Sequence, residues 1–455
     1  MEWINLRNKL DLTNPIVTWI LEPDGQHAEV AAMLRDTGKR FELVVPFRGG
    51  FDKYEQWFIN SRVSIINGGQ PLDPEKLPNI IRTLSNGTFY TLLGCSVSGS
   101  VHAGTGSGTV VPTYVVVGSS KTNFEQIHAM RSSIPGLVAW TGLSSLGIVF
   151  PEDDDLSTTE IVAEKHNNIE VDKSTGMKLI PNYSITSSLR KDEIIAKQLV
   201  MVETRSNELC DWSQHVGYHR TLLNLLAVSD WHPRDFSDME VLRKEDTEEL
   251  QGERCEGWRS VLSYMPHIER SQDLNPDSWF LFRFEDIHEE GIRKWIELTD
   301  TCQQGMTLLT YLARENKHLA LETINMLTGT MLDCIGWYIV TSKNQTVRMK
   351  VNRRTGEQQS KGFFHMLEAI REEFGDDFPF VDASKWEDDM RNAFVGNKHG
   401  DAKGVNFQTM YDVTMQSIVV ARMWVGLQLG ASIKVMKDRL DLDAVGKRIN
   451  RFIVR

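Results

Sequence analysis

The stretch WFLFRFEDIHEEGIRKWIEL, Trp279–Leu298, is where the chain changes character. Its first eight residues crowd Trp, Phe and Leu together as a buried strand does. From Gly291 the apolar residues fall at helical spacing instead, and Gly291–Asn316 reads as one helical region. Upstream, RFELVVPF, TFYTLLGCSVSG, VVPTYVVVGS, LVMVETRS and WRSVLSYMPHIE are short runs rich in Val, Tyr, Phe, Trp and Thr, separated by turn residues. A helical stretch over about 206–227 interrupts them, with Leu209, Trp212, Val216, Leu222 and Leu226 near helical spacing. Downstream, Ile324, Leu327, Met331, Ile335 and Tyr338 form one helix stripe, and Trp386, Met390 and Phe394 form another. Gly375 suits a helix C-terminus, Asp382 or Ser384 an N-cap, and Asn406 the N-cap of a long apolar final helix. These signals predict an α+β multidomain chain: a β-rich domain over 1–285 and an all-α bundle over 286–455.

Composition narrows the function classes. A chain of 455 residues exceeds one ordinary core, and 41% hydrophobic with 25% charged residues is ordinary for a folded globular protein. The five scattered cysteines contain no CxxC pair, which reads as a reducing, cytoplasmic setting. The N-terminus lacks the basic and apolar regions of a signal peptide. The longest apolar run, Ser417–Val435, is interrupted by Arg422, Gln428 and Lys434, so no membrane span is expected. A net charge of −12 argues against a protein that coats nucleic acid non-specifically. Two segments are locally basic, each with a balance of +5. Lys343, Arg348, Lys350, Arg353, Arg354 and Lys361 face only Glu357, and a second cluster runs over 421–455. The stretch over 342–361 reads as a polar loop.

Several motifs are decoys. AGTGSGT, Ala103–Thr109, lacks the lysine of a phosphate loop and sits between strand-like runs, so it reads as a hairpin tip. Cys210, His215 and His219 have a spacing that zinc accepts, but no fourth ligand stands out, and neither a metal nor another cofactor is expected. GLSSLG has the wrong spacing for a nucleophile elbow.

MRNAFVGNKHG, Met390–Gly400, is the segment with chemistry in it. It leaves a helical pattern and reads as entering a turn at Gly396, with Arg391 near the helix end and His399 beyond it. A guanidinium grips phosphate oxygens and stays charged, and an imidazole exchanges a proton near neutral pH. The two suffice in kind for metal-free RNA cleavage through the 2′-hydroxyl, giving a cyclic 2′,3′-phosphate and a 5′-hydroxyl. One imidazole serves poorly as both acid and base in a single turnover, which favours a site where two copies of the chain meet.

An Arg, a polar residue, a spacer and a His ahead of a long final helix resembles the HEPN ribonucleases, although the spacer here, Asn392–Lys398, is longer than that family's. The upstream half resembles ApeA-like proteins in TLLGC (Thr91–Cys95), VVVG (Val115–Gly118), LVAW (Leu137–Trp140) and WFLFRFEDI followed by GIRKWIEL. The resemblance implies an anti-phage, abortive-infection protein: a sensor or regulatory N-terminal domain, triggered by a phage component, and a homodimeric HEPN endoribonuclease. It implies Arg391 as the phosphate-binding residue, Asn392 as the polar orienting residue, His399 as the catalytic histidine and Asp333 as an orienting acid. Lys343, Arg348, Lys350, Arg353, Arg354 and Lys398 would contact the RNA, with tRNA among the candidate substrates. The alternative is an inactive HEPN dimerisation scaffold whose N-terminal domain senses a phage protein or nucleic acid.

Overall fold

Strands whose alternate side chains face the core run through the first half of the protein, as Ile80–Ser85 shows. In Phe41–Arg48, Phe41, Leu43, Val45 and Phe47 join the core, and Glu42 between them is buried in ion pairs with Arg35 and Arg40. The computed structural model describes residues 14–22, 28–49, 52–59, 65–67, 70–72, 76–103, 105–118, 122–149, 160–164, 166–188, 193–250, 252–263, 279–352, 354–398 and 405–454. Strands dominate up to Ser263 and helices from Phe284, so the chain is α+β with a β-rich N-terminal region. It divides into two compact units: 1–133, 203–216 and 237–267 form one, and 134–202, 217–236 and 268–455 the other.

The first unit is an antiparallel sheet. Its strands run in the order Ser96–Ala103, Thr105–Val111, Phe41–Arg48, Ala28–Asp36, Ile16–Leu21, Ile80–Ser85, Thr88–Leu93, Tyr114–Val117, Glu253–Ser263, Asp238–Leu250 and Ile127–Ser133. The short helix α1 (Lys53–Gln56) brings Tyr54, Trp57 and Phe58 onto a core with Leu34, Leu43, Val45, Leu92 and Val115. The Gly-rich tip is a hairpin, Ser96–Ala103 against Thr105–Val111. Its glycines are sites of close approach: a Cβ on Gly106 would strike the Phe47 ring, and one on Gly108 the Phe58 ring. Small residues there let two aromatic rings lie flat on the strand.

The second unit holds α2 (Leu137–Thr141), most of α3 (Trp212–Asp230), and the helices α4 (Phe284–Thr301), α5 (Gln303–Glu315), α6 (Leu321–Ser342), α7 (Phe363–Phe374), α8 (Ala383–Lys398), α9 (Phe407–Leu429) and α10 (Ile433–Arg439). Helix α6 packs against α5, α7, α8 and α9. It can do so because two of its residues have no side chain. A Cβ on Gly329 would enter the Phe394 ring, and one on Gly336 would strike Met366. Trp295, Met331, Ile335, Trp386, Met390 and Trp424 are fully or almost fully buried between these helices. Each such side chain contributes on the order of 1.5–3 kcal/mol of burial free energy. The expected punctuation is present: Gly375 ends α7 with φ 56°, Asp382 Oδ1 accepts from the Lys385 amide at 2.8 Å, and Asn406 Oδ1 accepts from the Thr409 amide at 2.9 Å.

Three readings of the sequence change. WFLFRFED is not a strand: Phe280, Leu281 and Phe282 are buried in an irregular segment, and the helix begins at Phe284. That segment's polar backbone is satisfied locally. The Leu281 amide donates to the Ser229 carbonyl at 2.8 Å, and the Phe282 carbonyl accepts from Trp140 Nε1 at 3.0 Å. Burial on all sides, not sheet pairing, demands its aromatic density. The helix expected over 206–227 begins later, at Trp212, because Glu193–Cys210 is a long strand. The basic stretch over 342–361 contains a small hairpin, Met349–Val351 against Gln358–Ser360.

The last helices are fastened by a charge inside the apolar run. Arg422, on α9, is wholly buried. It donates from Nε to the Val228 carbonyl at 2.7 Å and from Nη2 to the Ser229 carbonyl at 2.8 Å. It also grips Asp443 with a bidentate pair at 2.8 and 2.7 Å. Asp443 Oδ1 in turn accepts from the amides of Val445 and Gly446. Deleting one partner leaves a buried uncompensated charge. We predict that Asp443→Ala lowers the unfolding free energy by about 3–5 kcal/mol in denaturant titrations. An unchanged midpoint would show that this pair does not hold the bundle.

Candidate functional site

Helix α8 carries the candidate motif, and its core face fixes its rotation. Trp386, Met390, Ala393 and Phe394 are buried, and Trp386 Nε1 donates to Ser417 Oγ at 3.0 Å. Glu387, on the same buried side, accepts from Arg371 Nε at 2.5 Å. With that face inward, Asp388, Arg391, Val395 and Lys398 fall on an exposed edge at spacings of 3, 4 and 3. The Arg391 side chain is 46% exposed, its guanidinium 5.6 Å from the centre of the Phe364 ring on α7 and 3.9 Å from the Asp388 carboxylate. Asn392 is exposed on the next position round the helix. Lys398 Nζ lies 5.9 Å from the Phe394 ring centre.

The spacer differs from its sequence reading. No turn opens at Gly396; α8 continues without a break through Lys398. At 1.5 Å per residue, the seven steps from Arg391 to Lys398 span about 10 Å along the axis. The glycine is tolerated mid-helix because Phe394 and Asn397 on either side are held by tertiary contacts. His399 and Arg353 lie outside the described residues.

The other candidate residues divide into groups. Asp333, on α6, is partly buried, and burial pushes its carboxyl above the usual range while the charge of Lys398 pulls it back. Lys343 and Arg348 already hold acids of α7, Glu373 at 2.5 Å and Glu372 at 2.6 Å. Lys350 and Arg354 are exposed on the small hairpin and the turn that closes it. Thus Asp333 feels the charge of Lys398, and Arg391 lies on the same exposed edge of α8 as Lys398.

Sequence reading missed the polar network that holds the end of α8. Asn397 Nδ2 donates to Asn325 Oδ1 at 2.8 Å, and Asn325 Nδ2 donates to Thr414 Oγ1 at 2.9 Å. Thr414 Oγ1 in turn donates to the Met410 carbonyl at 2.6 Å. The chain links α8, α6 and α9, and Asn325 and Thr414 are completely buried. A lone Asn inside an apolar helix pattern was the signal, since a buried amide needs partners. A cavity of about 250 Å³ adjoins Asn397, lined also by Glu322, Gly396, Phe407 and Met410.

A family model described as ApeA N-terminal domain 1 matches residues 16–295, more than half of the chain. The chain belongs to the ApeA family. Membership supports a role in antiviral defence. The matched residues of this ApeA-family chain end within α4, short of the α8 motif. No curated protein matches the chain, and no solved structure does. Among the described residues, no helix is long and apolar enough to cross a membrane.

Two variants test this local structure. Asn325→Ala strands the Asn397 amide and should cost about 1–3 kcal/mol, measured by chemical denaturation. Asp333→Asn tests the buried carboxyl. A raised folded pKa means ionisation opposes folding as pH climbs above the unfolded carboxyl value. The variant should therefore melt higher than wild type at pH 7, and the gap should close as pH falls towards 4. A gap that widens on acidification would contradict the burial of Asp333.

Proposed function

We propose that this protein is a metal-independent endoribonuclease of antiviral defence, with a HEPN-type site on α8. The observation that supports it is the state of Arg391. Nearby arginines are neutralised at close range: Arg348 by Glu372 at 2.6 Å and Arg371 by Glu387 at 2.5 Å. Among the described residues, the acid that Arg391 meets is Asp388 at 3.9 Å, and its guanidinium lies 5.6 Å from the Phe364 ring centre at an exposed edge. Such a group retains its donors for a phosphate.

In this reading Arg391 binds the non-bridging oxygens of the scissile phosphate and stabilises the charge that builds on them. Asn392 orients the substrate, and His399 takes the proton of the 2′-hydroxyl. The 2′-oxygen forms a bond to phosphorus as the bond to the 5′-oxygen breaks, leaving a cyclic phosphate. Because the spacer is helical, Arg391 and the end of α8 lie about 10 Å apart in one chain. That separation favours a site shared by two copies of the protein, where the Arg of one meets the His of the other. The β-rich N-terminal region would then sense the trigger. The same separation is the observation behind the rival reading, an inactive HEPN scaffold that only dimerises.

Arg391→Ala and His399→Ala should each lower RNA cleavage by about 10²-fold or more, with dimer mass and melting temperature unchanged. Cleavage at the wild-type rate in both variants would place the site elsewhere. Products ending in a 3′-hydroxyl would exclude 2′-hydroxyl attack, and a wild-type protein inert towards RNA but dimeric would favour the scaffold.

A further inference from the structure

A histidine of α7, His365, neighbours the same ring that the Arg391 guanidinium approaches, Phe364. Helix α7 opens after Gly362 with Phe363, Phe364 and His365 in succession. Phe363 packs on Phe394 of α8 with ring centres 4.6 Å apart, which pins the start of α7 to the motif helix. Phe364 then lies under the Arg391 guanidinium at 5.6 Å, and the His365 ring sits 6.1 Å from the Phe364 ring in an edge-on arrangement. One turn later Glu368 places Oε2 at 2.9 Å from His365 Nδ1. A carboxylate at Nδ1 fixes the ring's orientation. It leaves Nε2, on the other side of the ring, as the atom that meets a substrate. The His365 side chain is 39% exposed, so solvent and RNA reach it.

We propose that His365 is the general acid of the reaction, with Glu368 as its positioning residue. The inference rests on the nuclease reading above, and it supplies the second proton-transfer group which that reading lacks within one chain. As the bond between phosphorus and the 5′-oxygen breaks, the His365 imidazolium gives its Nε2 proton to the departing oxygen and becomes neutral. The proton of the 2′-hydroxyl goes to the base, so charge and protons balance with no added reactant. Phe364 is the common neighbour: the guanidinium that holds the phosphate and the imidazole that serves the leaving group both adjoin its ring.

The test compares two substrates. Wild type, His365→Gln, His365→Ala, Glu368→Gln and Arg391→Ala are assayed on an RNA oligonucleotide and on the same RNA with a bridging 5′-sulfur at the scissile position. Sulfur departs without protonation. Both His365 variants should lose about 10²-fold or more on ordinary RNA and return to near the wild-type rate on the sulfur substrate. Glu368→Gln should show a smaller loss with the same rescue. Arg391→Ala should be slow on both, since its role is charge stabilisation. If wild type cuts RNA and His365→Gln cuts it within a few fold of that rate, His365 is not the acid while the nuclease reading stands. A His365 loss that the sulfur substrate does not restore also overturns the assignment. If wild type cuts neither substrate, the nuclease reading itself fails and takes this inference with it.

Discussion

A single desolvated arginine organises the helical part of this protein. Arg422 sits wholly buried in a long, largely buried helix, where an unpaired charge would be prohibitive. It is tolerated because four hydrogen bonds satisfy it, two to carbonyls at the end of α3 and two to Asp443. Asp443 in turn organises the 3₁₀ turn that follows it, through two amides. One ion pair thus fixes the azimuth of α9, the end of α3 and the C-terminal segment at once. Such a pair adds little net stability over a hydrophobic core, and its strength is geometric: few arrangements satisfy a buried guanidinium fully.

With α9 fixed, the placement of α8 follows from surface shape. Trp386 reaches Ser417 on α9, Phe394 fills the space left by Gly329 on α6, and the Asn397–Asn325–Thr414 chain ties down the last turn. These contacts occupy one face, so the opposite edge, with Arg391 and Lys398, remains outside. The chemistry of the site is therefore a consequence of the packing. Arg391 is exposed because Met390 and Phe394 are not.

Helix stripes and caps were legible in the sequence because they rest on local rules. The Trp386, Met390 and Phe394 stripe is buried as its spacing demands, and the Asn406 cap and the Gly375 terminus stand where their residue types suggest. Where local rules failed, a tertiary contact had overruled them. WFLFRFED has strand composition, but Phe280, Leu281 and Phe282 are buried against other elements whose hydrogen bonds satisfy their backbone without a sheet. Gly396 has the conformational freedom of a turn residue, yet neighbours anchored on α6 and α7 keep it helical.

The residue types of the candidate site and the α+β order were determined by the sequence alone, because composition and period are properties of neighbouring residues, and the ApeA-family character came from the match of residues 16–295 to that family. Only the tertiary structure decided that the spacer after Arg391 is a helix, that Lys343 and Arg348 are already neutralised, and that the Arg391 guanidinium approaches the Phe364 ring next to His365. Those facts depend on which helices touch, and contacts between residues far apart in the chain leave no periodic trace in it.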